Sequence, residues 1–392
     1  MGLIVKKPRE VMVGKDVKFL SFVNFLFALA LASVTTIWAL YMKSFLGTDY
    51  RVGMVSSLLS AVSLISYFFL VPLTEKYDKK KLFIFSTFLI FVFYILFSYV
   101  TSLSFFLLCS LLITIVYALR AMSFGIIIKS KSKKESVSKN EGLIFTFLNL
   151  GWILGPLIGG FLMSRFGFNM VFFVSSFIVL FTLILFYLSN TKVRNFNNKE
   201  KDNVFANVLD FFRDKERRKI YFLTSGVANW WIFIYLFIPL YIVDRGLDVK
   251  WVGYFLLAVA VPLIIFEYWF SEITNKYGFK KIFALGFLFV SIISFLGFFI
   301  NSIFVLMGLL VIASIGMAMV EPTTESYFLK IENRKEMNKF YGPFNTSRDG
   351  GQFIGKIVSS MILLFLSFKF LFIFYGLVMI LMFFVSLRIR NR

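Results

Sequence analysis

The sequence has no histidine and a single cysteine, Cys109, in 392 residues. Without histidine, the commonest acid–base side chain and metal ligand is missing. One cysteine closes no intramolecular disulfide and supports no zinc site, so neither a metal nor another cofactor is expected. Charge is also scarce: 16% of residues are Asp, Glu, Lys or Arg, against roughly 25% in a soluble domain. A soluble enzyme is excluded on that ground. No G-x-x-x-x-G-K-[ST] phosphate loop occurs, and no loop could house a nucleotide domain, which excludes a nucleotide-driven pump. The period-2 alternation of a membrane β-barrel is missing as well.

What the chain does have is hydrophobicity, at 59% of residues and a mean hydropathy of +0.83. Twelve apolar runs are read as spanning helices: 19–42, 52–74, 82–100, 104–128, 141–163, 168–189, 220–243, 251–274, 282–300, 303–328, 342–366 and 370–387. Each can cross a hydrocarbon layer of about 30 Å at about 1.5 Å per residue. The first follows Lys6, Lys7, Arg9, Lys15 and Lys18 and outruns a signal peptide's apolar core of roughly 7–15 residues, so it reads as a retained span. The 55 phenylalanines read mainly as lipid-facing bulk.

The formal charge of +21 reflects orientation rather than nucleic-acid binding. With the N-terminus inside, the inner segments carry 33 Lys/Arg and the outer loops six. That asymmetry predicts a multi-pass protein of the cell membrane with both termini cytoplasmic. A polar segment, 190–219, separates an N-terminal six-helix bundle (1–189) from a C-terminal one (220–392), with Val204–Phe212 a candidate amphipathic surface helix.

The two halves match at a shift of 200. Val52-Gly53 meets Val252-Gly253, Lys76-Tyr77 meets Lys276-Tyr277, Lys80-Lys81 meets Lys280-Lys281, and Gly151 and Gly155 meet Gly351 and Gly355. Six spans per half give both the same orientation, so the repeat is parallel and a substrate site is expected between the halves near mid-membrane.

Two motifs stand out. The fifth run contains Gly151-Trp-Ile-Leu-Gly155-Pro156-Leu-Ile-Gly159-Gly160. Glycines four apart share a helix face and admit a neighbouring backbone, while a proline loosens the ladder. G-x-x-x-G-P-x-x-G-G resembles the fifth-helix motif of drug:proton antiporters in the major facilitator superfamily. The loop after the second span, with Leu73, Glu75, Lys76, Asp78, Lys79 and Lys80, is similar to that superfamily's loop-2/3 signature, and Asn275, Lys276, Gly278 and Lys280 repeat it after the eighth. In that loop Val71 and Asp78 replace glycines and Glu75 replaces aspartate. The resemblance spans essentially the whole chain. It implies an all-α membrane fold of twelve helices in two six-helix bundles rocking around a central cavity, with Glu75 docking against a helix N-terminus in one state.

Ionisable residues within spans are the candidate coupling and gating groups: Arg120, Glu267, Glu321, Arg348, Asp349 and Lys356, with Glu325 a turn from Glu321. Each costs roughly 2.5–3.5 kcal/mol at a helix centre, so pairing or a wet cavity must offset them. Arg120 and Glu321 lie at near-equivalent repeat positions. They are expected to pair across the cavity when the cytoplasmic side closes. A carboxylate that gains and loses such a partner can take up and release a proton, and Glu321 is the first candidate, ahead of Glu267 and Asp349. Candidate cavity residues are Asn24, Thr35, Trp38, Asn229, Trp230 and Trp231. The expected function is a secondary transporter of a small organic solute working by alternating access, proton-coupled and leaning to export (an antiporter). Its expected partners are that solute, protons and membrane lipid, with no nucleic acid, and the protein is expected to be monomeric. A proton-coupled importer of a metabolite or sugar, and a non-transporting sensor or scaffold of transporter ancestry, are the alternatives.

Overall fold

The structure is a computed structural model and describes residues 15–131, 137–189, 204–332 and 336–390. Six helices form the first half: α1 (Lys15–Leu46), α2 (Asp49–Lys76), α3 (Lys79–Tyr99), α4 (Leu103–Lys131), α5 (Val137–Phe166) and α6 (Phe168–Leu188). A short helix follows, α7 (Val204–Arg213). In the second half, α8 (Lys215–Ile232) runs through a π turn at Phe233–Phe237 into α9 (Ile238–Asp244), making one span. Then come α10 (Lys250–Tyr277), α11 (Phe279–Phe299), α12 (Ile303–Ile331), α13 (Met337–Phe365) and α14 (Phe370–Ser386). Among the described residues, nine spans are long and apolar enough to cross a membrane by length and composition alone. With α2, the charge-bearing α13 and the 17-residue α14, the spanning set is twelve. Outward-facing side chains such as Phe69, Phe299 and Phe365 are over 70% exposed and apolar. Water would penalise such a surface and a bilayer does not.

Helix ends follow local chemistry. The side chain of Asp78 accepts from Lys81 N at 2.9 Å and so caps α3, while the repeat position, Gly278, makes the same junction by adopting φ +86°. The sequence treats Asp78 as a lost glycine, whereas here it is a working N-cap. The side chain of Glu75, and with it the expected docking onto a helix end, lies outside the described residues. Asp214 caps α8 through Glu216 N and Arg217 N, which starts the seventh span five residues earlier than its hydropathy suggests.

Packing obeys the repeat. In the first half α1 lies on α5, α3 on α4 and α6, and α2 on α4; in the second, α8 lies on α13, α11 on α12 and α14, and α10 on α12. The halves meet along two related seams, α2 with α13 and α10 with α5. The fifth-helix glycines explain the tightest packing. Gly151 and Gly155 press on Ala28 and Ala32 of α1, Gly159 meets the backbone of Ser33, and Ser33 Oγ donates to the Gly155 carbonyl at 3.0 Å. At the seams, a Cβ on Gly253 would fall 2.5 Å from the Pro156 carbonyl oxygen and 3.4 Å from Gly160, and one on Gly53 would overlap Ser360. Positions 53/360 and 253/160 are interchanged by the shift of 200, so the two seams are copies of one contact.

Candidate functional site

Call the end where α1 begins and α14 finishes the terminal face, and the opposite end the distal face. The contacts that join the halves gather in the distal half. Lys43 Nζ, at the end of α1, pairs with Asp49 at 2.7 Å and reaches across to Asp244 at the end of α9. Beyond it, Asp248 is hydrogen-bonded by Ser164, which holds its carboxyl below the usual carboxylate range. Deeper along the α2–α13 seam, Lys356 Nζ donates to Ser60 Oγ at 2.7 Å, and Ser57 Oγ to the Phe353 carbonyl at 3.5 Å.

Toward the terminal face the inner wall of the second half is reachable. The Arg348 side chain is 56% exposed, although it lies eleven residues, or roughly 16 Å, inside α13. It is not turned to lipid, because the outward-facing positions of that helix, Ile354, Ile357 and Met361, lie on its other side at about 100° per residue. An arginine exposed at that depth and away from lipid faces the gap between the halves on the terminal side.

Most of the intramembrane charges share that wall. Glu325 accepts from Tyr341 Oη at 2.6 Å and from Arg348 Nη2 at 3.5 Å. Glu321, one turn deeper, accepts from Trp231 Nε1 at 3.0 Å. It sits beside Pro322, whose missing N–H frees the Ala318 carbonyl and loosens the helix there. Glu267 on α10 lies within electrostatic range of Glu321, and Asp349 lies within range of Lys356 and of Tyr67 on α2.

Arg120 is placed differently. Its guanidinium carbon stands 3.1 Å from the Phe27 ring centroid, with the Phe83 and Phe124 rings at 5.1 and 5.4 Å. It is 4% exposed, and its Nε and Nη2 are buried without a hydrogen-bond partner. Arg120 and Glu321 are therefore not paired in this state: the cation is parked inside the first half and the acid is held by an indole.

The six expected cavity residues fall in different surroundings. Trp38 packs among Phe97, Phe106 and Phe172 inside the first half, and Asn24 is buried. Thr35 bonds its own helix through the Leu31 carbonyl. Asn229 sits against Gly355 and donates to the Gly351 carbonyl at 3.5 Å. Trp230 is fully buried and packs on Phe233 and Tyr375. Of the six, Trp231 is the one that meets an intramembrane acid. Trp152, Tyr235, Ser60, Lys43 and Asp244 complete the picture without having been singled out as site residues. Trp152 carries a signal in its place inside the fifth-helix motif, while the others have none that hydropathy can show. Among the described residues no three His, Cys, Asp or Glu side chains converge as a metal site would require.

Comparison with known proteins agrees with this architecture. The family model described as Major Facilitator Superfamily matches residues 20–266 and 252–392. An uncharacterised MFS-type transporter of Methanocaldococcus jannaschii is 22% identical over 347 residues, covering 88% of this chain and 90% of its own length. Among solved structures, the nucleoside transporter NupG superposes with TM-score 0.77 at 14% identity, covering 94% of this chain and 98% of that one. A POT family transporter in complex with 5-aminolevulinic acid gives TM-score 0.78 at 15% identity, with 95% of both chains covered. The chain belongs to the major facilitator superfamily and is a membrane transporter of that kind.

Proposed function

We propose that the protein is a proton-coupled secondary transporter that exports a small organic solute across the cytoplasmic membrane. Its two halves, 1–189 and 220–392, rock about a central site with both termini in the cytoplasm. The observation that carries this reading is one-sided closure: cross-half contacts gather in the distal half while Arg348 is exposed deep on the terminal side. With the terminal face cytoplasmic, as the 33-to-6 basic asymmetry orients it, this is the state that receives solute from the cytoplasm. The fifth-helix motif, with Pro156 and Gly160 in the hinge-like seam, supports the export branch. The nucleoside and peptide transporters among the fold neighbours support a small organic solute.

Coupling rests on Glu321. A carboxylate held by an indole N–H can be protonated without breaking an ion pair. When the terminal side closes, Arg120 leaves its phenylalanine box and pairs with Glu321, displacing the solute toward the distal side. A proton entering from that side then neutralises Glu321 and frees Arg120, the terminal side reopens, and the next solute displaces the proton into the cytoplasm.

The test begins with a thermal-stability screen of the purified protein for a stabilising solute. In proteoliposomes an imposed proton gradient then drives accumulation of that solute. In Glu321→Gln, accumulation is lost, more than tenfold, while exchange without a gradient survives. Accumulation retained by the Gln variant moves the coupling role to Glu267 or Asp349.

A further inference from the structure

Where the halves meet near mid-height, three large aromatic side chains converge. Trp152 of α5 stands edge-on to Tyr235, centroids 5.7 Å apart at 73°. Tyr235 meets Trp231 at 5.7 Å and 46°. All three are half-buried, so part of each remains reachable. Tyr235 owes its place to the π turn at Phe233–Phe237, after which Pro239 cannot bond back to the Tyr235 carbonyl. Turns of this kind are frequent at functional sites.

One carboxylate borders this aromatic wall and a second lies within electrostatic range of the first. Glu321 is tied to it through Trp231 Nε1 at 3.0 Å, and Glu267 lies within electrostatic range of Glu321. The base whose field reaches Glu321, Arg348, is itself engaged by Glu325. The site therefore holds more negative charge than positive, beside π-faces that are themselves negative.

Taking the chain as a solute transporter, we propose that its substrate is an organic cation, bound between the Glu267–Glu321 pair and the faces of Trp152, Trp231 and Tyr235. A cation over an aromatic face is attracted by the ring quadrupole, more strongly where water is excluded, and the carboxylates add the opposite charge. A neutral solute would gain only the apolar contact, and an anion would be repelled. Because Trp152 comes from one half and the other four residues from the second, an occupant binds both halves at once. Protonating either glutamate cancels the charge that holds the cation, so proton and substrate exclude each other at one place. Such mutual exclusion is what exchange of one for the other requires. Glu325, Arg348 and Tyr235 are the other titratable groups facing the pair.

The test uses full-length protein in lipid nanodiscs with tetraphenylphosphonium as probe. Tetraphenylborate, of the same shape and opposite charge, is the control, and both are corrected against empty nanodiscs. Phosphonium binding should be saturable, at least tenfold tighter than borate, and weaker as pH falls. It should weaken about tenfold in the E267Q/E321Q double variant and several-fold in Trp152→Leu and in Tyr235→Leu. If the double variant does not fold, the two aromatic variants decide, since they keep both carboxylates. Equal binding of the two probes, no saturable phosphonium binding, or phosphonium binding unchanged in the folded variants overturns the proposal. Saturable phosphonium binding by a protein that moves no solute would leave the cation site standing and sink the coupled-export reading. Solute movement without phosphonium binding would sink the cation site alone.

Discussion

The two halves share a fold and part of a sequence, yet they handle charge in opposite ways. Deep in the first half the charged group is Arg120, laid on Phe27 with no acid beside it. The second half carries Glu267, Glu321, Glu325, Arg348, Asp349 and Lys356. The terminal faces differ in the same sense. In the first half that end is packed by Leu20, Val23, Phe83, Phe124, Ile127 and Phe186, an apolar cluster within the bundle. In the second it is laced by ions: Arg217 donates to Glu332 at 2.5 and 3.0 Å and to Glu336 at 3.3 Å while its guanidinium lies 3.6 Å over Phe340. Lys339 there donates to Asp210 of α7 at 2.7 Å and holds that carboxyl below the usual range. The seams, by contrast, are equivalent, with glycine meeting a small partner at 53/360 and at 253/160. Backbone approach tolerates little change, because any added Cβ collides. Charge in a wet cavity is free to diverge once one half has taken over the chemistry.

The sharpest way to break this comparison is to remove the parked cation. Arg120→Met deletes a buried charge that has no acid partner here, so the distal-closed state should lose only its contact with the phenylalanine rings. The opposite state should lose its Arg120–Glu321 pair, and breaking a buried pair costs on the order of 3–5 kcal/mol. Spin labels at Ile128 and Leu329, with Cys109 replaced, should report the long, terminal-open distance almost exclusively. A distance distribution equal to that of the parent would show that Arg120 has no partner in either state.

A smaller effect is expected at the ionic lacing. Arg217→Ala leaves the nearly inaccessible Glu332 carboxylate without its donor, a loss of about 1.5–3 kcal/mol for a charged hydrogen bond. Thermal unfolding should shift downward by several degrees. Phe83→Leu, its counterpart in the apolar cluster, should respond to salt hardly at all, whereas the Arg217 contribution should shrink as salt rises. Equal salt response in both would remove the distinction between the two ends.

Smaller again is the distal tie. Lys43→Met removes a partly exposed bridge between halves, worth about 0.2–1 kcal/mol. It should raise the distal-open population by a few-fold at most, readable by alkylation of a cysteine placed at the buried Ser57 in the α2–α13 seam, with Cys109 replaced. Unchanged alkylation would make the tie incidental.

The weakest effect is on pH. The carboxyl of Asp248 is held low by Ser164, so its contribution is fully present above the unfolded aspartate value of about 3.9 and lost as pH falls through the lower folded value. Distal closure should thus be flat from about pH 5 to 8 with respect to this group and loosen only in stronger acid. Asp248→Asn should remove that acid loosening while leaving the neutral range alone. A midpoint near neutrality that Asp248→Asn removes would contradict the assignment.

Much of this molecule could be read before folding. Long apolar runs, spaced by short polar loops, specify spanning helices because every backbone group in lipid must be bonded within its own segment. The repeat was legible because seam glycines and loop caps are set by local sterics. Which face of each helix looks inward was not legible. Trp230 and Trp231 are neighbours about 100° apart, and one is sealed against Phe233 and Tyr375 while the other reaches Glu321. Lipid is as apolar as a helix–helix interior, so composition carries no phase, and the aromatic surroundings of Trp38 and the burial of Asn24 were not legible for the same reason.

The sequence by itself determined the membrane class, the twelve spans, the parallel repeat and the presence of charges that must be paired or hydrated. Those follow from transfer free energy and backbone sterics, which act residue by residue. Tertiary structure alone decided that Lys43 meets Asp244, that Arg120 rests on Phe27 rather than on an acid, and that Trp152 and Tyr235 close a wall beside Glu321. Those contacts join segments remote in the chain, and their geometry is set by how two rigid bundles lean on one another, a property no single segment carries.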